Sequence, residues 1–335
     1  MDNNNSHWLF SFIDNIFRTK SKDFNGKAIE LFHYQYQENE VYQNYCKLIQ
    51  CDINSVQVLE DIPFLPISTF KSHKLITSQS KSEIIFESSG TTKNTTSKHY
   101  VHDLNIYVNS FTACFQKFYG PIRDYHILAL LPSYLEREGS SLVKMVDTLI
   151  SKSNSEYSNF FLKDTLELSR ILNLLNERKE KVLLIGVSFA LLDYVHSFET
   201  TANPNMLVME TGGMKGRKRE MVREELHTVL KKGFKTKTIH SEYGMTELLS
   251  QAYSKGEGEF ETPPWMKIMI RKQDDPFSYC SVGEVGAINI IDFANIYSCP
   301  FIQTDDLGKL NESEKFEVLG RFDSSDVRGC NLMVS

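Results

Sequence analysis

The feature that most constrains the fold of this chain is a regular alternation that begins near residue 83. From that point, short apolar runs of strand length alternate with amphipathic stretches of helix length. Strands that are separated by helices pair in parallel through crossover connections, so the alternation predicts α/β layers around a largely parallel sheet. The predicted strands are 83–87, 125–132, 181–188, 206–213 and 236–244, and the predicted helices are 103–119, 140–151, 164–180, 188–198 and 216–231.

Two regions of a different character flank this alternation. Residues 1–75 carry apolar and aromatic side chains at helical spacing, whereas short strands with turn residues between them follow residue 256. We therefore expect three parts in the chain. They are a helical N-terminal segment packed on the main domain, 1–75, an α/β core, 76–323, whose smaller β-rich part begins at about 257, and a short mobile C-terminal arm, 324–335, that carries Cys330.

The composition argues against several functional classes. The 335 residues carry a formal net charge of −6, without the basic excess that is typical of nucleic-acid binders. No apolar run has membrane-spanning length, and the N-terminus lacks the cationic start of a signal peptide. The six cysteines form no CxxC pair, which argues against a zinc site and a disulfide framework. We therefore expect a cytoplasmic protein with reduced thiols, no nucleic-acid partner and no membrane span.

Polar segments follow several of the predicted strands, and ligands of open α/β sheets bind at such strand ends. The first segment contains Ser88, Ser89, Gly90, Thr91, Thr92, Lys93 and Lys98. Its backbone N–H groups and hydroxyls can donate to phosphate oxygens, and its two lysines can add positive charge. The segment does not match the GxxxxGK[ST] pattern, and taken alone it is more typical of a solvated polar loop.

Two later segments also offer ligand-binding groups. Gly212 and Gly213 follow an apolar strand and permit close backbone approach of a flat ligand, although a tight strand-to-helix turn explains them equally well. Tyr243 can stack on a base, Thr246 offers a hydroxyl, and Glu247 offers an oxygen ligand for Mg²⁺. The alternative is a helix N-terminus at which Thr246 is the cap and Glu247 complements the helix dipole.

A fourth segment contains paired aspartates. A carboxylate in the stretch Thr304-Asp305-Asp306 can accept hydrogen bonds from ribose hydroxyls, whereas the alternative is a polar turn. In their order along the chain, these four segments and a fifth near the C-terminus, GRFD, resemble the motifs of the adenylate-forming superfamily of acyl-CoA synthetases, luciferases and adenylation domains. The matching stretches are SSGTTKNTTSK (88–98, phosphate loop), TGG (211–213, adenine-side turn), YGMTE (243–247, aromatic-Gly-x-Thr-Glu), TDD (304–306, Thr-Gly-Asp with Asp305 in place of glycine) and GRFD (320–323, Gly-Arg-x-Asp hinge).

The resemblance implies the N-terminal-domain fold of that superfamily, with layered α/β subdomains and a smaller β-rich subdomain. The chain ends twelve residues after Asp323, so we expect it to lack the C-terminal lid domain and its catalytic lysine. This layout looks like the acyl-protein synthetase branch of the bacterial fatty-acid reductase, the LuxE family. In that branch a cysteine near the C-terminus carries the acyl group, and Cys330 matches its place.

The implied activity is ATP-dependent activation of a carboxylic acid, expected to be fatty, to an acyl-adenylate, followed by transfer to the Cys330 thiol and onward to a partner such as an acyl reductase. The resemblance assigns catalytic roles to Cys330, Thr246 and Lys93, and a Mg²⁺ ligand role to Glu247. It assigns nucleotide binding to Ser88, Ser89, Gly90, Thr91, Thr92, Lys98, Gly212, Gly213, Tyr243, Gly244, Asp306 and Arg321, with the last two on the ribose.

Two alternatives remain open from the sequence. The acyl group could pass from the adenylate to coenzyme A or to an acyl carrier protein, without a cysteine intermediate. A chain without a lid could also be a non-catalytic nucleotide-binding subunit. Loss of protein-bound acyl group in a Cys330→Ser variant would separate the leading hypothesis from the first alternative. Carboxylate-dependent ATP–pyrophosphate exchange would separate it from the second.

Overall fold

A computed structural model of the chain describes residues 3–77, 80–88, 96–131, 139–161, 164–212 and 221–321. Within these ranges the α-helices are α1 (Asn3–Asn15), α2 (Phe24–Glu38), α3 (Glu40–Leu48), α4 (Thr69–Ser72), α5 (Leu104–Tyr119), α6 (Ser141–Ser153), α7 (Thr165–Glu177), α8 (Ser188–Ser197) and α9 (Arg223–Phe234). The strands are β1 (Leu65–Pro66), β2 (Ile84–Glu87), β3 (Lys98–Val101), β4 (His126–Leu130), β5 (Asn159–Phe160), β6 (Val182–Val187), β7 (Met206–Thr211), β8 (His240–Tyr243), β9 (Ala252–Ser254), β10 (Glu259–Glu261), β11 (Met266–Arg271), β12 (Gly286–Asp292), β13 (Phe301–Leu310) and β14 (Phe316–Arg321).

The chain forms two compact units, and one of them is continuous in sequence, Ser82–Pro263. Its main strands run in the order β10-β9-β8-β7-β6-β4-β5. The pairs β4–β6, β6–β7 and β7–β8 are parallel, which confirms the predicted parallel sheet. Every residue of β6 is buried, as expected for a strand that helices cover on both faces. The predicted strand 83–87 is β2, but its expected place in the parallel sheet is wrong, because β2 pairs with β3 in a separate antiparallel hairpin.

The predicted helices of this unit are present with small shifts at their ends. Helices α5 to α8 match the predicted stretches closely because each carries an apolar face that packs against the sheet. Asp103, Ser140 and Asp164 cap α5, α6 and α7 by accepting hydrogen bonds from backbone N–H groups of the first turn. Helix α9 begins at Arg223, later than the predicted start at residue 216.

The other unit combines the described residues up to Lys81 with those from Pro264 onward. Strands β11, β12, β13 and β14 form an antiparallel sheet in that order, and the short β1 pairs with β13 in parallel. The helical N-terminal segment packs on this sheet. Phe24 stacks on Phe293 with ring centroids 4.4 Å apart, and the Gln35 amide donates to the carbonyl of Ile296. The strands that follow residue 256 are β10, in the continuous unit, and β11 to β14, in this one. None of the helices in the described residues is long and apolar enough to cross a membrane.

Candidate functional site

The structure describes some of the sequence-predicted site residues and not others. Those it describes are Ser88, Lys98, Gly212, Tyr243, Gly244, Thr246, Glu247, Asp306 and Arg321. Those outside the described residues are Ser89, Gly90, Thr91, Thr92, Lys93, Gly213 and Cys330.

The two ends of the predicted phosphate loop are held together by the hairpin of β2 and β3. The Ser97 N–H donates to Ser88 Oγ at 2.9 Å, and the Ser88 N–H donates to the Ser97 carbonyl at 3.0 Å. Lys98 lies on β3 opposite Glu87, and its Nζ is 3.3 Å from a Glu87 carboxylate oxygen. Lys98 therefore stands at the base of the loop, where Glu87 partly balances its charge.

The backbone of Thr246 is held by a buried histidine. His99 on β3 has no solvent exposure, and its Nδ1 lies 2.9 Å from the Thr246 carbonyl oxygen. Burial lowers the pKa of His99 to about 4, so the ring is neutral near pH 7 and its Nδ1–H donates to the carbonyl. We did not predict His99 from the sequence. The available signal is its alternation with Val101, which puts both side chains on the buried face of β3.

The segment from Tyr243 to Glu247 ends a strand and enters a turn. Tyr243 pairs with Ala252 across β8 and β9, which leaves only residues 244–251 for the connection. Thr246 and Glu247 form a turn in this connection, closed by a hydrogen bond from the Leu248 N–H to the Met245 carbonyl. The alternative of a helix N-terminus at Thr246 is therefore wrong, because an antiparallel return to β9 leaves no room for a helix.

The carboxylate of Glu247 and the ring of Tyr243 occupy different environments in this segment. Glu247 is 6% exposed, whereas Tyr243 is half-buried with its ring edge-on to Phe260 at 5.9 Å. The guanidinium of Arg223 lies over the ring of Phe260, 5.2 Å from the ring centroid. In the described part of the chain no group of three or more His, Cys, Asp or Glu side chains could hold a metal ion. Glu247 therefore suits Mg²⁺ only as one carboxylate beside other oxygen ligands such as phosphates.

The turn after β7 is held from the first residue of α8. Gly212 has φ 71°, in the left-handed region that favours glycine, and it is exposed. The Ser188 hydroxyl donates to the Gly212 carbonyl at 2.8 Å and also lies 3.0 Å from Glu210 Oε2. Because β7 and β8 are neighbouring parallel strands, the Gly212 turn and the segment after Tyr243 lie at the same edge of the sheet.

A buried carboxyl connects these two neighbouring strand ends. Glu242 on β8 faces Thr211 on β7, and the Thr211 hydroxyl donates to Glu242 Oε2 at 2.5 Å. The pKa of Glu242 is raised to about 7, chiefly by burial; the hydrogen bond from Thr211 lowers it and the nearby Glu210 adds to the rise. We did not predict Glu210, Glu242 or Ser188 from the sequence. The available signal is a glutamate within each of the predicted strands 206–213 and 236–244.

The paired aspartates lie in the other unit, and their environments differ. Asp306 is largely buried and faces Arg321 across β13 and β14, with Arg321 Nε 3.4 Å from Asp306 Oδ1. Burial lowers the pKa of the Arg271 guanidinium, and the charge of Asp305 partly offsets this effect. Asp305 is therefore coupled to Arg271, while Asp306 pairs with the exposed Arg321 of the GRFD stretch.

Comparison with known proteins shows the family of this chain. The family model described as "Acyl-protein synthetase, LuxE" matches residues 14–335. A long-chain-fatty-acid–luciferin-component ligase of Aliivibrio fischeri is 26% identical, over 96% of this chain and 93% of that protein.

Solved structures of ligases share the fold. A 2-hydroxyisobutyryl-CoA ligase in the postadenylation state has a TM-score of 0.66 at 8% identity, over 92% of this chain and 70% of the ligase. ATP-bound MatB from Rhodopseudomonas palustris has a TM-score of 0.51 at 16% identity, over 71% of this chain. The chain covers 47% of the length of that MatB structure. The expected fold of adenylate-forming N-terminal domains is thus confirmed, and the chain belongs to the acyl-protein synthetase, LuxE, family of acyl-adenylate-forming ligases.

Proposed function

We propose that this chain activates a long-chain fatty acid with ATP and Mg²⁺, carries the acyl group as a thioester on Cys330, and passes it to a partner that reduces it. The observation that supports this most is the placement of two of the family's motifs at one sheet edge. The Gly212 turn and the Tyr243–Glu247 segment follow neighbouring parallel strands, as a nucleotide site in an open α/β sheet requires.

The residues at this edge suit a nucleotide. The left-handed Gly212 turn leaves backbone groups exposed to a flat base, and Tyr243 stands half-buried at the strand end where its ring can contact adenine. The loop between Ser88 and Lys98 supplies hydroxyls and the charge of Lys93 for the phosphates. The family resemblance assigns ribose binding to Asp306 and Arg321, whose side chains pair across β13 and β14.

The first half-reaction forms the mixed anhydride of the acid with AMP. A carboxylate oxygen of the acid attacks the α-phosphorus of ATP, the new P–O bond forms, and the bond to the β-phosphate breaks with release of pyrophosphate. The chain positions the reactants and balances their charge. The Thr246 hydroxyl, on a backbone that His99 holds, would donate to the α-phosphate, and Glu247 would be a ligand of Mg²⁺. Its carboxylate would hold the ion where added positive charge balances the phosphates.

The second half-reaction transfers the acyl group to sulfur. The Cys330 thiolate attacks the acyl carbonyl, a C–S bond forms, and the C–O bond to AMP breaks. Arg328, two residues away in sequence, favours the thiolate. Burial raises the pKa of Cys46 and of Cys299 to about 12 and also raises the pKa of Cys51 and Cys280, so these four thiols form the thiolate less readily than a free cysteine.

The family supports a proposal for the substrate class and for the partner. The name of the Aliivibrio fischeri relative specifies a long-chain fatty acid, which supports an acid of that class here. A protein-bound thioester is at the oxidation level of the acid, and reduction by one hydride equivalent gives an aldehyde. An acyl reductase is therefore the partner class that this product suits.

Carboxylate-dependent ATP–pyrophosphate exchange tests the proposal. With Mg²⁺ and a panel of fatty acids of increasing chain length, we expect exchange that depends on the acid and is strongest for long chains. Exchange without acylation of the protein, but with product on added coenzyme A or carrier protein, would favour transfer without Cys330. Binding of ATP without exchange for any acid would favour a non-catalytic subunit.

A further inference from the structure

Two glutamates lie behind the candidate nucleotide edge, and the proposed half-reactions use neither of them. Glu210 is on β7 and Glu242 is on the neighbouring β8, and both are at least nine-tenths buried. Glu210 Oε1 lies 3.7 Å from His227 Nε2, and Glu210 Oε2 lies near the Ser188 hydroxyl. Carboxyl groups are rarely buried in proteins unless other groups bind them, because desolvation of the charged form is costly.

Glu242 contacts both of the segments that form the edge. Its Oε2 accepts the hydrogen bond from Thr211, the residue directly before the Gly212 turn. Its Oε1 lies against Gly244, where a Cβ atom would collide with it. Gly244 therefore has a spatial reason to be glycine, since a side chain there would require the Glu242 carboxyl group to shift.

The groups that face Glu242 do not neutralise it. They are Glu210 on β7, Tyr253 on β9, and Tyr107 and Tyr119 on α5. Burial raises the pKa of all three tyrosines, so they are neutral near pH 7. Within the described part of the chain, no cation lies at ion-pair distance from Glu242. Its protonation therefore changes near pH 7, where the pKa of the carboxyl lies.

We propose that Glu242 is a positioning residue of the nucleotide site, whose carboxyl group holds the Gly212 turn and the Gly244–Glu247 segment at a fixed separation. This inference rests on the proposed function, because it gives Glu242 its role through the binding of ATP. Glu242 does not touch the reacting atoms. Its loss changes the separation of two segments that contact one ligand, and it therefore affects ATP more than the acid.

A second consequence concerns pH. The protonated and the ionised carboxyl bind the Thr211 hydroxyl with different strength, because a charge-assisted hydrogen bond is the stronger one. Ionisation of Glu242 also adds electrostatic repulsion from Glu210. The fit of the edge to ATP is therefore expected to change as Glu242 titrates, and removal of the Thr211 hydroxyl is expected to move this change to higher pH, because that hydrogen bond lowers the pKa of Glu242.

The test compares Glu242→Gln, Glu242→Ala and Thr211→Val with the wild-type protein and with Glu177→Gln, a control on the exposed end of α7. Acid-dependent ATP–pyrophosphate exchange gives KM for ATP and for a long-chain acid between about pH 5 and pH 9. Thermal unfolding and ATP binding are measured on the same samples, so that a misfolded Glu242→Ala protein is recognised and the two milder variants decide.

We expect Glu242→Ala to raise KM for ATP by about tenfold, with a much smaller effect on KM for the acid. Glu242→Gln is expected to lose the inflection of kcat/KM for ATP near pH 7, and Thr211→Val to move it upward. Unchanged pH profiles in folded Glu242→Gln and Thr211→Val proteins, beside an active wild type, would overturn the inference alone. A wild-type protein with neither exchange nor ATP binding would overturn the proposed function and this inference together.

Discussion

The Nδ1 atom of His99 lies 2.9 Å from the carbonyl oxygen of Thr246, although 147 positions separate the two residues in sequence. The contact joins the β2–β3 hairpin, which closes the predicted phosphate loop, to the turn that carries Thr246 and Glu247. Two of the proposed ATP-binding segments thus share one buried hydrogen bond, and the neutral state of His99 makes its ring the donor.

Substitution of His99 tests this connection. His99→Leu removes the donor and leaves the Thr246 carbonyl buried without it, so we expect a loss of about 1–3 kcal/mol in stability and about tenfold or more in the rate of ATP–pyrophosphate exchange. His99→Asn can place an amide N–H near the Nδ1 position and is expected to retain most of the activity. Equal activity of the wild type and a folded His99→Leu protein would refute the connection.

Gly244 and Glu242 are expected to be energetically coupled. Gly244→Ala places a methyl group where the Glu242 carboxyl lies, so the carboxyl must leave the Thr211 hydroxyl. In a Glu242→Ala background the space is open, and Gly244→Ala should cost little there. A double-mutant cycle on the free energy of unfolding should give a coupling of about 1 kcal/mol or more. Additive effects of the two substitutions would mean that the collision is relieved elsewhere.

The raised pKa of Glu242 predicts a pH-dependent stability cost. Between pH 4.5, the ordinary pKa of a glutamate, and about 7, the unfolded chain releases this proton while the folded chain keeps it, so a rise in pH favours unfolding. Glu242→Gln lacks this cost. Its stability relative to the wild type, from urea unfolding, should therefore rise across this window by about 3 kcal/mol at most and then level off.

Titration of His99 and His240 does not affect the comparison of stability between Glu242→Gln and the wild type. Burial lowers the pKa of His99 and of His240 to about 4, so their contribution to stability is lost as the pH falls from about 6.5 toward 4. That contribution is common to both proteins and cancels in the difference. A difference between Glu242→Gln and the wild type that does not vary with pH would contradict the assigned burial of Glu242.

We expect the Arg321 side chain to affect the KM for ATP and to have little effect on the free energy of unfolding. It is 67% exposed, and an exposed ion pair such as that with Asp306 contributes less than about 1 kcal/mol. If Asp306 and Arg321 bind ribose, Arg321→Ala should raise KM for ATP by about tenfold with little change in the free energy of unfolding. Lys309→Ala, which removes another cross-strand ion pair of β13 and β14, is the matched control and should leave KM unchanged.

The sequence predicts the parallel strands β4, β6 and β7 and the helices between them well, because these strands are mostly apolar and the helices are amphipathic. The run Val182–Val187 is buried along its whole length, and it contains no polar residue that would interrupt the strand signal. The turn at Thr246 is different. Its local sequence resembles a helix start, and only the pairing of Tyr243 with Ala252, a non-local contact, excludes a helix there.

The motifs and their order along the chain predict the residues of the candidate site. They do not predict the buried residues that hold these motifs in place. Tyr243, Gly244 and Thr246 are found because they belong to a recognisable motif. His99 and Glu242 act through buried contacts across 147 and 31 positions, and a single sequence carries no direct sign of such pairings. A polar residue on the buried face of a strand is the one local signal, and it does not identify the partner.

The most direct test of the central claim is the intact mass of the protein after incubation with ATP, Mg²⁺ and a long-chain fatty acid, followed by peptide mapping. We predict a mass increase equal to the acid minus one water, sensitive to hydroxylamine, on the peptide that contains Cys330. The increase should be absent in Cys330→Ser, which should still catalyse ATP–pyrophosphate exchange, and present in Cys280→Ser. An acyl label that persists in Cys330→Ser, or active exchange without any label on the wild-type protein, would contradict the account.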